Sequence, residues 1–261
     1  MQLQDIKLFL DEKADLYENK GFIESDPISI PHQFTQKEDI EIAAFLAASI
    51  AWGKRTMIIK NGERLMKMMD YQPHQFIINS TDNDFEQFRT FVHRTFSAQT
   101  TIYFLKALRH IYLNKNGLEA IFNKGFQASG TIDGTLAYFR TQFMFETEGR
   151  EAAKSHVPNV EKNSACKRLN MFLRWMVRES GRGVDFGIWK EIPKSQLMIP
   201  LDLHSGGVSR KIGILGRRYD DWKAVEELTS VLRSFDATDP IKYDYALFGL
   251  GVFERFQNDE Q

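Results

Sequence analysis

The chain has 261 residues, 43% of them hydrophobic, a formal net charge of −1 and one cysteine, Cys166. That is enough apolar material to bury a sizeable core, and it excludes an internal disulfide, a cysteine-built zinc site and a uniformly basic nucleic-acid coat. No run of about 18 apolar residues and no charged-then-apolar leader appears, so a cytoplasmic location without a membrane partner is expected.

In chain order, Leu3 to Tyr17 places Ile6, Phe9, Leu10 and Leu16 near helical spacing and predicts a surface helix stopped by Gly21. SDPISIPHQF, with two prolines within five residues, predicts an extended link. Thr35 with Glu38 three residues on forms a capping-box pattern, opening a central helix that is nearly all apolar from Ile42 to Trp52. Gly53 ends it, and Arg55 to Met69 predicts an amphipathic helix in which Met68 and Met69 fill the core. Pro73 to Asn83 reads as irregular, and FRTFVHRTF fits a short strand or a distorted helix equally. Helices are expected over Thr101 to Leu113, Leu118 to Phe126 and Ile132 to Phe145, followed by a polar loop from Ser155 to Asn163. Toward the end, Val208 to Ile214, Asp220 to Phe235 with Asp220 as cap, and an Asp239-capped helix with Pro240 in its first turn complete the pattern. About ten helices and no clear strand predict an all-α fold, one compact helical unit or two helical subdomains.

Charge is unevenly spread. Residues 1 to 50 carry 4 basic and 10 acidic side chains, as do residues 219 to 261. Residues 162 to 182 instead hold six basic side chains against Glu179 alone, and residues 203 to 218 add Arg210, Lys211, Arg217 and Arg218 with no acid. This is the placement a polyanion partner would need, or a solvated basic helix face.

The stretch from Ser164 to Asp202 lies in that basic region. Ala165, Leu169, Phe172, Leu173 and Met176 form an apolar stripe, and opposite them Lys167, Asn170, Arg174 and Arg178 fall within about 60° of one line, which predicts a cationic ridge. A glycine-bearing connection then leads into IPLDLH, where Asp202 follows an apolar approach and precedes a helix. Each residue also has a plainer reading. Lys167 fits a first-turn surface lysine, Asp202 an N-cap worth about 1 kcal/mol, His204 a structural histidine, and Trp175, Trp189 and Trp222 core aromatics. Asp202 and His204 make two metal ligands at most, so neither a metal nor a cofactor is expected.

A lysine-bearing helix followed by an apolar approach into Asp-x-His at a helix start resembles the helix-hairpin-helix DNA glycosylase superfamily. Asp202 and His204 match that pattern, and Lys167 matches the lysine that bifunctional members use as nucleophile. Ala43 to Met69 is similar to the superfamily's opening helix pair, and YDYALFGLG, Tyr243 to Gly251, to its closing helix. The 35 residues between Lys167 and Asp202 are nearest to the archaeal 8-oxoguanine glycosylases. Two features differ: VPNVEKNSACK lacks the Gly-x-Gly hairpin that precedes the lysine, and Trp52 and Gly53 replace a common glutamine. Over almost its whole length the chain also resembles an uncharacterised bacterial family marked by KRLNMFLRWMVR and PLDLH.

The glycosylase resemblance implies a DNA-repair glycosylase/lyase acting on a damaged base in duplex DNA, with RNA left open as a partner. Lys167 and Asp202 would be catalytic, lining a cleft between helical halves bordered by residues 164–204. Arg168, Asn170, Arg174, Arg178, His204 and Arg210 would bind nucleic acid. Arg168, Arg174 and the positive end of the helix would disfavour the charged form of Lys167 and so expose the amine. The alternative is a non-catalytic nucleic-acid-binding or adaptor protein on the same scaffold.

Overall fold

The computed structural model describes residues 2–145 and 148–256. Thirteen α-helices and six short 3-10 turns form among these residues, with no strand. In chain order the helices are α1 (Leu3–Tyr17), α2 (Lys20–Glu24), α3 (Lys37–Ser49), α4 (Arg55–Met68), α5 (Pro73–Asn79), α6 (Ala98–Asn114) and α7 (Gly117–Ser129). They continue with α8 (Ile132–Phe143), α9 (Arg150–Lys154), α10 (Lys167–Val177), α11 (Leu203–Lys211), α12 (Trp222–Phe235) and α13 (Tyr243–Val252). The all-α expectation holds, with thirteen helices in place of ten. No described helix is long and apolar enough to cross a membrane. The chain divides into two compact units, Ile23–Asn159 and a discontinuous one made of Met1–Phe22 with Val160–Gln261.

The continuous unit is built on α3, which is buried from Ile40 to Ser49. Phe45 of α3 meets the rings of Phe104, Phe139 and Phe143 at 5.2–5.9 Å, joining α3 to α6 and α8. Glu41, also buried, accepts a hydrogen bond from Tyr112 Oη at 2.7 Å, which satisfies a carboxylate inside an otherwise apolar layer. Several expectations for this unit need correction. The proline-rich segment is not extended but makes two 3-10 turns, Pro27–Ser29 and Pro31–Gln33, each with its proline in the first turn. The start of α3 is capped at Gln36 without a side-chain bond, so the Thr35 capping box does not form. Pro73 likewise opens α5, because a missing amide costs nothing at a helix start. FRTFVHRTF resolves into the end of a 3-10 helix, Asp84–Thr90, and a tight turn bridging His93 to Phe96.

In the discontinuous unit α13 packs against both α1 and α11. Two glycines permit this. The ring of Tyr17 occupies the space where a side chain at Gly249 would stand, and His204 Cβ would lie 2.9 Å from a Cβ at Gly251. Gly21 does not stop the first helical region, since it sits inside α2. Asp221, one residue after the expected Asp220, caps α12 by accepting from Ala224 N at 3.1 Å. Asp239 precedes a 3-10 turn, Pro240–Lys242, and makes no cap bond there. Trp175 and Trp189 are fully buried and Trp222 nearly so, which places all three in the core.

Candidate active site

Four of the five residues of the predicted apolar stripe, Leu169, Phe172, Leu173 and Met176, are buried in α10, while Ala165 precedes the helix and is half-buried. The first residue of α10 is Lys167, and the loop before it contains two residues with left-handed backbone, Asn163 (φ 60°) and Cys166 (φ 51°). Both are non-glycine residues in a conformation that side chains seldom adopt. Asn163 fastens the loop to the start of α12. Its Nδ2 donates to Asp221 Oδ2 at 2.9 Å, and its carbonyl accepts from Trp222 N at 3.2 Å.

Asp202 divides its carboxylate between two tasks. Oδ1 accepts from His204 N at 2.9 Å and Ser205 N at 3.0 Å, while Ser205 Oγ accepts from Asp202 N at 2.9 Å, a capping box that starts α11. Oδ2 stands 3.4 Å from Lys167 Nζ. Two helix starts 35 residues apart thus bring an ammonium and a carboxylate together, and the pair keeps some access to solvent, at 28% and 18% side-chain exposure. Burial alone would raise the Asp202 carboxyl, but the Lys167 charge and the Ser205 amide outweigh it and hold it below the usual carboxylate range.

The cationic ridge is corrected. Asn170, Arg174 and Arg178 are buried, and the partners of the two arginines are carboxylates inside the unit. Arg174 bonds Asp244 and, through Nε at 3.2 Å, Asp185, with its guanidinium 4.4 Å from the Tyr245 ring centre. Arg178 reaches Glu18 at 2.6 Å, Asp185 at 2.9 Å and Asp239 at 2.8 Å. Asn170 Nδ2 donates to the Ala165 and Ile199 carbonyls at 3.2 and 3.5 Å, tying the α10 start to the approach into Asp202. The ridge failed as a surface feature because its countercharges come from segments up to 160 residues away. Arg210 is similarly engaged, at 2.6 Å from Asp220, with Nε donating to the Arg217 carbonyl. Arg168 is half-buried, and burial pushes its guanidinium down to about 10. His204 is half-buried, its ring 6.2 Å from that of Phe248. Of the two arginines expected to destabilise a charged Lys167, Arg174 is thus neutralised by two carboxylates, and the ion partner of Lys167 is Asp202.

One residue of this neighbourhood escaped the sequence reading. Asp244 is buried in α13, a helix otherwise almost wholly apolar, and it is bonded to Arg174. An acid inside YDYALFGLG needs a partner when buried, and that was the available signal. Burial raises the Asp244 carboxyl to about 6. Arg174 and Lys167 oppose the rise, and the charge of Asp202 adds to it.

A family model described as "Protein of unknown function (DUF2400)" matches residues 26–253. The chain belongs to this family. The match covers Lys167, Asp202 and Asp244 and begins after Glu18, so the DUF2400 region holds the pair entire but not every partner of Arg178. No curated protein and no solved structure matches the chain.

Proposed function

We propose that this protein is a DNA-repair glycosylase/lyase that acts through a Schiff base on Lys167. The observation that carries the reading is the meeting of Lys167 Nζ and Asp202 Oδ2 at 3.4 Å, each at the start of a different helix and partly open to solvent. On this reading the damaged nucleotide is extruded from the stack into a cleft bordered by residues 164–204. Lys167 first releases a proton to water. Its neutral amine attacks the sugar C1′, the bond from C1′ to the base breaks, and the base leaves with the electron pair and takes up a proton. Opening of the sugar ring gives the imine, from which loss of a C2′ proton expels the 3′ phosphate. Asp202 stabilises the positive charge that builds on the sugar.

Borohydride reduces the imine to a stable amine and so traps the protein on its substrate. Oligonucleotides carrying an abasic site or an oxidised purine should give a covalent adduct with the wild type and none with Lys167→Gln, whose binding stays close to normal. Asp202→Asn should slow adduct formation more than it weakens binding. Salt-sensitive binding with no Lys167-dependent adduct on any of these DNAs would favour the other reading, a non-catalytic nucleic-acid-binding protein on the same scaffold.

A further inference from the structure

A surface row of cations, of the kind expected on α10, occurs on α4 in the continuous unit. Lys60, Arg64 and Lys67 fall within about 60° of one line on that helix, and all three are exposed. Ile58, Leu65 and Met66 on the opposite face are buried, which holds the row outward. Lys54, the exposed N-cap residue, extends it, and from there to Lys67 in the last turn the axis runs about 20 Å. A fifth cation, Arg94, comes from the tight turn in which His93 N donates to the Phe96 carbonyl at 3.0 Å and Phe96 N donates back at 2.8 Å. That turn is fastened to α4. His93 Nδ1 accepts from Asn61 Nδ2 at 2.8 Å, and Nε2 donates to the Trp52 carbonyl at 3.2 Å. Arg94 is exposed, has left-handed backbone (φ 55°), and lays its guanidinium over Gly53, where a Cβ would stand 2.9 Å from Nη1. A strained residue and a missing side chain thus seat an arginine beside Lys54.

Countercharge is what took the arginines of α10 inside, and this row lacks it. Among the described residues, Lys54, Lys60, Lys67 and Arg94 have no carboxylate partner. Glu63, the one acid of α4, accepts from Tyr71 Oη at 2.5 Å and Gln33 Nε2 at 2.8 Å, and Glu86 of the neighbouring 3-10 helix is paired with Arg89. Arg64 Nη2 donates to the Thr90 carbonyl and hydroxyl at 3.0 and 3.2 Å, contacts that fix its planar fork without neutralising its charge.

We propose that the row formed by Lys54, Lys60, Arg64, Lys67 and Arg94 binds the phosphodiester backbone of duplex DNA. A compact anion would engage one or two of these side chains, whereas five cations along about 20 Å match a linear polyanion whose strand carries a charge every 3.4 Å or so of duplex axis. The row is one side chain wide, which suits a strand and not the plane of a membrane. Phosphate contacts fix register and orientation without reading bases, so damaged and undamaged duplexes are held alike. The choice of DNA as the polyanion rests on the repair reading of Lys167, but the row itself does not.

The test is fluorescence anisotropy of the whole protein with an undamaged, dye-labelled DNA duplex in sodium chloride from about 50 to 200 mM. Each phosphate contact adds about 0.9 to the steepness of log affinity against log salt. Lys54→Gln, Lys60→Gln and Lys67→Gln combined should therefore weaken binding to every sequence tried and lower that steepness by about three. Neutralising three exposed lysines elsewhere, Lys115, Lys124 and Lys223, should change it by less than about one. A row variant that keeps the wild-type slope, or a control that loses as much, overturns the proposal. Row-dependent binding of an RNA duplex, polyglutamate or phosphatidylserine vesicles without binding of DNA overturns it as well. All six positions are exposed, and circular dichroism verifies that both variants fold as the wild type does. The duplex carries no abasic site or oxidised base, so a failed salt response is distinguished from a failed borohydride adduct.

Discussion

The two ends of α10 carry the same kind of residue on the same face and use it in opposite ways. At the first turn Lys167 meets one carboxylate and retains 28% side-chain exposure. Just past the last turn, as the capping residue, Arg178 meets three carboxylates at 2% exposure. Depth separates them. A buried guanidinium is tolerable only when its donors and charge are saturated, which leaves it no capacity for a ligand. A half-exposed ammonium on one carboxylate can exchange that partner for another anion, or lose its proton.

The largest expected effect comes from breaking the buried end. Arg178→Met leaves Glu18, Asp185 and Asp239 without their shared cation and should cost roughly 3–5 kcal/mol in urea unfolding; a loss below about 1 kcal/mol would mean that the cluster is not sealed from water. Acid should act on the same end. Burial alone would raise Glu18, yet Arg178 holds it below its ordinary value. Its stabilising contribution is therefore complete above the unfolded carboxylate pKa and lost as pH falls through the lower, folded one. Urea midpoints measured from pH 7 downward should fall in this acid range for the wild type and fall less steeply for Glu18→Gln. Asp244, raised to about 6, has the opposite sign, favouring the fold below its unfolded value and losing that contribution as pH rises through about 6.

At the open end the effects are smaller. Asp202→Ala removes the α11 cap together with the partner of Lys167 and should cost about 1–2 kcal/mol, whereas Lys167→Gln, removing a half-exposed ion pair, should stay within about 1 kcal/mol of wild type. If Lys167→Gln proved the more destabilising of the two, the pair would be a structural clasp. Smallest of all is the response to salt. Raising sodium chloride to about 1 M shortens the screening length to about 3 Å and should erase the remaining stability difference between Lys167→Gln and wild type, leaving the deficit of Arg178→Met in place.

Much of this comparison was legible beforehand, and the misreadings share a cause. The apolar periods of α1, α4 and α6, and the lysine and aspartate at two helix starts, are local facts, and local spacing placed them well. Pro27, Pro31 and Pro73 were read as breakers although each opens a helical turn, because the sequence does not say which side of a proline the helix occupies. The arginines of α10 were read as exposed because their partners are not local. Asp244 lies 70 residues from Arg174, and Glu18 160 residues from Arg178. A charge pattern along one helix cannot reveal which distant acids will close over it.

The broken continuity of the unit that holds α1 and α13 has a consequence for biosynthesis. As the chain leaves the ribosome, α1 emerges with Ile6, Leu10 and Ala14 ready for burial, yet α13, the helix that packs on it, is made only after all the helices between them. The intervening residues, Ile23–Asn159, form a unit of their own whose contacts need nothing translated later. Nascent chains thus have a natural order, the inserted unit condensing while α1 waits as an unmatched amphipathic segment. Glu18 waits with it, a carboxylate whose guanidinium has yet to be synthesised. Closing that long loop is the slow, entropically demanding step, and a ribosome stalled before α13 would leave α1 as an uncovered, aggregation-prone helix.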